Sequence, residues 1–313
     1  MSSHEPVGEE KVIVQEDFSY GDHELQKLSV YHHFGKNIRQ ERGLYIIYIH
    51  GGAWRDPRIT DKSFLPTIRQ LFSHPSEQDL VNSHITAFAS ISYRLSPHAD
   101  HPQEPGTPST ELRDAKHPDH LHDVVSAVSF LQARYKFGSK YLLIGHSCGA
   151  TLAFQSIIRQ QLSLSPPIPF KNPEIVVGVA GIYDMRLLRD KNSHPAYQEF
   201  LVSAFGEDEK AWDRASPANH DFLASWPEVK SVVVVSSSGD ELVDPTQIEC
   251  MATRLENLRA SAVVMVLKGF LHQTHDHIWD EGIGLAHVIV QTLKAWLGDD
   301  ESALLESTKR ERS

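Results

Sequence analysis

The sequence predicts an α/β domain, with a mostly parallel central sheet and helices on both faces. Three observations predict it. Short apolar runs rich in β-branched residues recur along the chain. Helical patterns lie between them. One run breaks at a serine set between two glycines, GHSCG at 145–149, and a helical pattern follows at once. Continuous apolar runs suit strands covered on both faces, and their alternation with helices argues for parallel pairing.

In chain order, strands are expected over 43–50 (GLYIIYIH), 84–93 (HITAFASISY), 140–145 (KYLLIG), 174–181 (EIVVGVAG), 230–238 (KSVVVVSSS) and 261–269 (SAVVMVLKG). Helices are expected over 118–135, 148–162, 245–259 and 283–297. In the first of these, Leu121, Val124, Val125, Val128 and Leu131 fall on one face. Two stretches interrupt the pattern. Residues 95–118 are proline-rich and predict a long surface excursion. Residues 182–228 exceed what one connecting helix needs, and predict short helices forming a small cap. The length of 313 residues is accommodated as a single domain over 1–299, with a polar tail at 300–313 expected to be disordered.

Composition narrows the partners. Thirty Lys and Arg against 41 Asp and Glu leave a formal charge of −11. Such a surface repels nucleic acid and anionic membranes, and no basic patch offsets it. No apolar stretch approaches the roughly 18 residues of a membrane span. The first ten residues, MSSHEPVGEE, have neither the apolar core of a signal peptide nor the arginines of a transit peptide. Two cysteines make no disulfide framework. The expectation is a cytoplasmic protein acting on a small molecule. A homodimer is allowed for, and the oligomeric state is left open.

GHSCG fits the G-x-S-x-G nucleophile elbow. A strand-to-helix turn this tight leaves no room for side chains beside the serine, which explains Gly145 and Gly149. Ser147 would stand strained and exposed above the sheet, with the Cys148 amide aimed at a developing oxyanion. The Cys148 thiol is a rival nucleophile, but a thiol there more often packs. HGGAW at 50–54 follows an early strand. Paired glycines let backbone amides approach a ligand, so Gly52 and Ala53 would complete the oxyanion hole. His50, Gly51 and Trp54 would shape that loop.

The acid should follow a late strand and the histidine a later one. Asp240 lies just past the run ending at 238, with Asp244 as the competitor, although Asp244-Pro245 reads as a helix start. The loop after 269 offers His272, His275 and His277. HPDHLHD at 117–123 and THDH at 274–277 cluster imidazoles and carboxylates, yet neither has a zinc-site spacing. Serine hydrolysis needs no metal, so neither a metal nor a cofactor is expected.

With those residues in hand, the chain resembles the kynurenine formamidases (arylformamidases) of the α/β-hydrolase superfamily, particularly the fungal form. The shared pieces are HGGAW, SYRLSP (92–97), HPDHLHDVVSAVSFL (117–131), GHSCGATLAFQ (145–155), GIYDM (181–185), ASP (215–217) and GDELVDP (239–245), spread over roughly residues 40 to 297. The resemblance favours His275, a few residues before an apolar pair and the last helix, with His277 as the alternate. It implies hydrolysis of N-formyl-L-kynurenine to L-kynurenine and formate, within tryptophan breakdown toward NAD synthesis. The aromatic leaving group would need an apolar wall, for which Trp54, Tyr183, Phe270 and Trp279 are candidates. The histidine-dense loop and the 95–118 excursion depart from the family pattern. A general carboxylesterase would use the same residues. A non-catalytic receptor on this fold would typically have lost the serine or the histidine, and both are present here.

Overall fold

The computed structural model describes residues 13–33, 43–165 and 167–310. The polar first ten residues and the last three lie outside them. The elements in chain order are β1 (Ile13–Ser19), β2 (Lys27–His33), β3 (Leu44–Ile49), α1 (Leu65–Leu71), α2 (Pro75–His84), β4 (Ile85–Ile91), α3 (Asp119–Tyr135), β5 (Tyr141–His146), α4 (Cys148–Ile157), β6 (Ile175–Val179), α5 (Met185–Lys191), α6 (Ala196–Phe205), α7 (Glu209–Ala215), α8 (Phe222–Ser225), β7 (Ser231–Ser237), α9 (Thr246–Leu255), β8 (Val263–Leu271), α10 (His277–Asp280) and α11 (Ile283–Arg310).

Eight strands form one sheet in the order β1-β2-β4-β3-β5-β6-β7-β8. The β1–β2 and β2–β4 pairs are antiparallel, and the others are parallel. The period of two divides each inner strand between two cores. Ile47 and Ile49 of β3 pack on the side of α3, α4 and α9. Ile46 and Tyr48 pack on the side of α1 and α11. Both faces are covered, so the inner strands need apolar side chains at nearly every position.

The six expected strands are present. The first two, β1 and β2, were not legible. Strand β1 is an edge strand whose middle residues, Val14 to Asp17, are exposed. Charged residues on an open edge discourage pairing with another chain and remove the apolar signal. Helices α1 and α2 also escaped the pattern, and α2 buries only Val81. The 95–118 excursion contains no helix or strand but is tied down. The Ser96 N–H donates to the Trp54 carbonyl at 2.9 Å, and the His117 N–H donates to the Ala204 carbonyl at 2.7 Å. Insertion 182–228 carries four helices, α5 to α8. Helix α11 continues to Arg310.

Several histidines are withdrawn from water, His50 and His120 fully and His117 in part. Desolvation lowers His50 and His117 to about 4 and His120 to about 3. An unfolded chain protonates these rings near about 6.5. Between that pH and about 4 the unfolded state therefore binds more protons, and stability falls as pH falls. We expect each ring to withdraw on the order of 2 kcal/mol by pH 5. Urea midpoints at pH 7.5 and 5.0 test this, and equal midpoints would contradict it.

Candidate active site

The parallel strands converge at their carboxyl ends on one edge, where α/β sheets place ligands. Strand β5 delivers Ser147 there, β3 delivers the loop from His50, β7 delivers Asp240 and β8 delivers His275. Ser147 has φ 55° and ψ −125°, a conformation that costs a non-glycine residue energy. It is held by its N–H on the Val179 carbonyl at 2.9 Å and by the Ala150 N–H on its own carbonyl at 3.0 Å. A Cβ on Gly145 would stand 2.2 Å from the Gly149 carbonyl oxygen. One on Gly149 would stand 2.2 Å from the Ile49 carbonyl oxygen. Both glycines are therefore required for the turn, as the sequence suggests.

The loop after β3 has three successive left-handed residues, Gly52, Ala53 and Trp54, with φ of 95°, 49° and 59°. Such a run turns successive amides toward one side. Tyr93 fastens the loop by donating its hydroxyl to the His50 and Gly51 carbonyls at 3.0 and 3.2 Å. Its ring stacks on His50 at 4.5 Å. The Cys148 thiol lies beneath, where the Trp54 N–H donates to Sγ at 3.3 Å. Burial pushes this thiol up to about 11, against the pull of hydrogen bonds from Tyr93 and the backbone. A buried thiol with so high a pKa is a poor nucleophile at neutral pH.

Asp240 and His275 are buried and paired. The His275 Nδ1 lies 3.0 and 2.9 Å from the two Asp240 carboxylate oxygens. The same carboxylate accepts the Leu242 and Val243 N–H groups at 2.9 Å each. Close approach of the two loops needs Gly239, whose Cβ would stand 2.2 Å from the His272 carbonyl oxygen. Competing residues have other partners. Asp244 accepts the Thr246 N–H at 2.9 Å, at the start of α9. His272 pairs with the Ser238 hydroxyl at 2.7 Å. His277 has a side chain 56% exposed, 4.0 Å from Asp280. The ring of His146 lies 4.6 Å from that of His275, and burial holds it well below the usual histidine range.

Ser147, only 6% exposed, and His275 line one cavity of about 640 Å³ together with Gly52 and Ala53. Its far wall comes from the insertion, including Leu188, Asn192, Tyr197 and Phe200. The four aromatics expected to wall the site do not line it, which corrects the sequence reading. Trp54 and Tyr183 are core residues, packed on Phe205 at 5.0 Å and on Phe154 at 5.6 Å. Phe270 and Trp279 pack against the core on the α11 side of the sheet. Large rings next to a motif were drawn into the core, and Tyr197 and Phe200 supply the aromatic surface from over a hundred residues beyond the loop after β3. Nothing in the local sequence marks those two. The HPDHLHD cluster is divided among structural partners. Asp123 holds Arg94 through contacts of 2.8 to 3.1 Å, and His120 Nε2 lies 3.0 Å from the Ser96 hydroxyl.

A kynurenine formamidase-like hydrolase of Fusarium equiseti is 40% identical over 262 residues, covering 80% of this chain and 83% of that protein. The chain belongs to the kynurenine formamidase family. A family member from Aspergillus versicolor is 38% identical over 259 residues, covering 77% and 85% of the two chains. One from Meyerozyma guilliermondii is 36% identical over 241 residues, covering 76% and 79%. No family model matches the sequence. Among solved structures, esterase B from Lactobacillus rhamnosis superposes with a TM-score of 0.64 at 17% identity, covering 96% of this chain and 90% of that one. A hyperthermophilic esterase from Pyrobaculum calidifontis gives 0.57 at 18% identity, covering 90% and 85%. The fold of this family member is thus the α/β-hydrolase fold. Among the described residues no helix is long and apolar enough to cross a membrane.

Proposed function

We propose that this protein hydrolyses N-formyl-L-kynurenine to L-kynurenine and formate, with Ser147 as nucleophile, His275 as general base and acid, and Asp240 as its partner. The observation that carries the reading is the Asp240–His275 pair opening on the same cavity as Ser147. The relatives named kynurenine formamidase direct it to this substrate.

In the proposed cycle, His275 Nε2 takes the proton of Ser147 Oγ as that oxygen bonds to the formyl carbon. Asp240 keeps the other ring proton on Nδ1, so Nε2 is the free acceptor. The carbonyl electron pair moves onto oxygen, where the Gly52, Ala53 and Cys148 amides receive it. Collapse breaks the C–N bond while His275 returns its proton to the departing aniline nitrogen. Water then attacks the formyl-enzyme through the same relay, releasing formate and free Ser147. In this reading, residues 182–228 act as a cap. Tyr197 and Phe200 meet the aniline ring, and a formyl group needs little space beside Ser147. Two unpaired cysteines fit a reducing cytoplasm.

The expected result is a kcat/KM for N-formyl-L-kynurenine at least about tenfold above that for p-nitrophenyl acetate, or roughly 1.4 kcal/mol of added transition-state binding. An aniline leaves less readily than nitrophenolate, so such a preference must come from the pocket. Equal or better turnover of the ester, with formylkynurenine near background, would leave a general carboxylesterase instead.

A further inference from the structure

Arg55 directly follows the left-handed loop, and its side chain lines the cavity although only 9% of it is exposed. A guanidinium carries five N–H donors. Here Nη1 donates to the Glu199 carboxylate of α6 at 2.9 Å. Among the described residues no other hydrogen bond of this guanidinium to a protein acceptor is present. Glu199 is itself 50% exposed, so water weakens its hold on the charge.

The other charges around the cavity are differently placed. Arg58 is 71% exposed and gives Nε and Nη2 to the two Asp56 oxygens at 2.9 and 2.7 Å. His98 is held below the usual histidine range by burial and by the Arg55 charge, so it adds no cation at neutral pH. Arg55 is therefore the mostly covered cation of the cavity with donors to spare. The guanidinium lies over the Phe200 ring at 5.9 Å, its other donors are open to the cavity, and its fork matches a carboxylate. Asp56, Glu241 and Asp276 also line the cavity. They would repel a doubly charged anion such as a phosphate, and would attract an ammonium group. A ligand bearing one carboxylate and one ammonium fits both signs.

We propose that Arg55 binds the α-carboxylate of an amino-acid-bearing leaving group, so that the cavity selects acylated aryl amino acids over neutral anilides. This inference rests on the formamidase reading of the Ser147 site. Arg55 forms no bond to the reacting atoms, so it sets specificity and not chemistry.

The test compares N-formyl-L-kynurenine with N-formylkynuramine, the same molecule lacking the carboxylate. For Arg55→Met, the ratio of the two kcat/KM values should fall about 30-fold, mainly through KM for the acid, as the loss of a charge-assisted bond implies. Arg55→Lys, which keeps the charge but not the fork, should fall between. Glu199→Gln should retain the wild-type ratio. Equal losses on both substrates in Arg55→Met, or the same change in ratio from Glu199→Gln, would make Arg55 a strut between loop and helix and overturn the inference. Calorimetry of L-kynurenine binding separates this from the formamidase reading. Wild-type binding that weakens about 30-fold in Arg55→Met supports the carboxylate site even if neither formyl compound is hydrolysed. No binding of L-kynurenine by the wild type overturns it.

Discussion

Replacing Ser147 with alanine is expected to lower kcat/KM on N-formyl-L-kynurenine by a factor of about 10⁴ or more while leaving the fold intact. The size follows from the role, because without Oγ no formyl-enzyme forms and the paired imidazole has no proton to take. The intact fold follows from the geometry. The strained φ of 55° is held by the Val179 and Ala150 backbone bonds and by the two flanking glycines, none of which involves the hydroxyl. Alanine meets the same backbone strain as serine, so the melting temperature should change little. Cys148→Ala is the paired control. Its thiol is buried, and its proposed contribution is a backbone amide that survives the change, so activity should stay within about tenfold. A dead Cys148→Ala beside an active Ser147→Ala would reverse the assignment. The measurements are steady-state kinetics and thermal melts on both purified variants.

What the sequence revealed and what it hid have physical causes. Strands β3, β5, β6 and β7 are buried on both faces, so their composition announces them. The elbow is equally legible, because steric exclusion at Gly145 and Gly149 leaves a fixed spacing around Ser147. Asp240 could be ranked over Asp244 because the proline after Asp244 already explains that aspartate as a helix start. The loop histidines could not be separated on their own spacing. His272, His275 and His277 are alike in type and within five positions of one another, and only the turn fixed by Gly239 selects one for Asp240. The wall of the cavity was hidden for a different reason. Tyr197 and Phe200 reach it because α6 folds over the sheet edge, and an ordinary amphipathic helix carries no sign of what its partly buried face will meet. Arg55 was hidden as one charge among many, since its burial depends on the same helix.

His275→Ala should match Ser147→Ala, with a loss of about 10⁴ or more in kcat/KM, and combining the two should cost little beyond either alone. Residues that act as one relay fail together, so additive losses would mean that His275 acts elsewhere. Asp240→Asn should cost up to about 10⁴, since an amide carbonyl or N–H beside Nδ1 no longer fixes the tautomer that leaves Nε2 free. His272→Ala and His277→Ala should keep most activity, because those rings pair with Ser238 and lie by Asp280. The wild-type rate should fall toward acid pH, as it does whenever an imidazole must be neutral to accept a proton. Acid also loads protons on His50, His117 and His120 when the chain unfolds, so loss of rate and loss of fold must be told apart. Circular dichroism at each pH does so. A rate that falls while the far-UV signal and the melting temperature hold belongs to the relay, whereas a rate that falls only with unfolding gives no support to an imidazole base. Full activity in His275→Ala, with loss in His277→Ala, would move the base to His277 and leave the buried Asp240–His275 pair a structural contact.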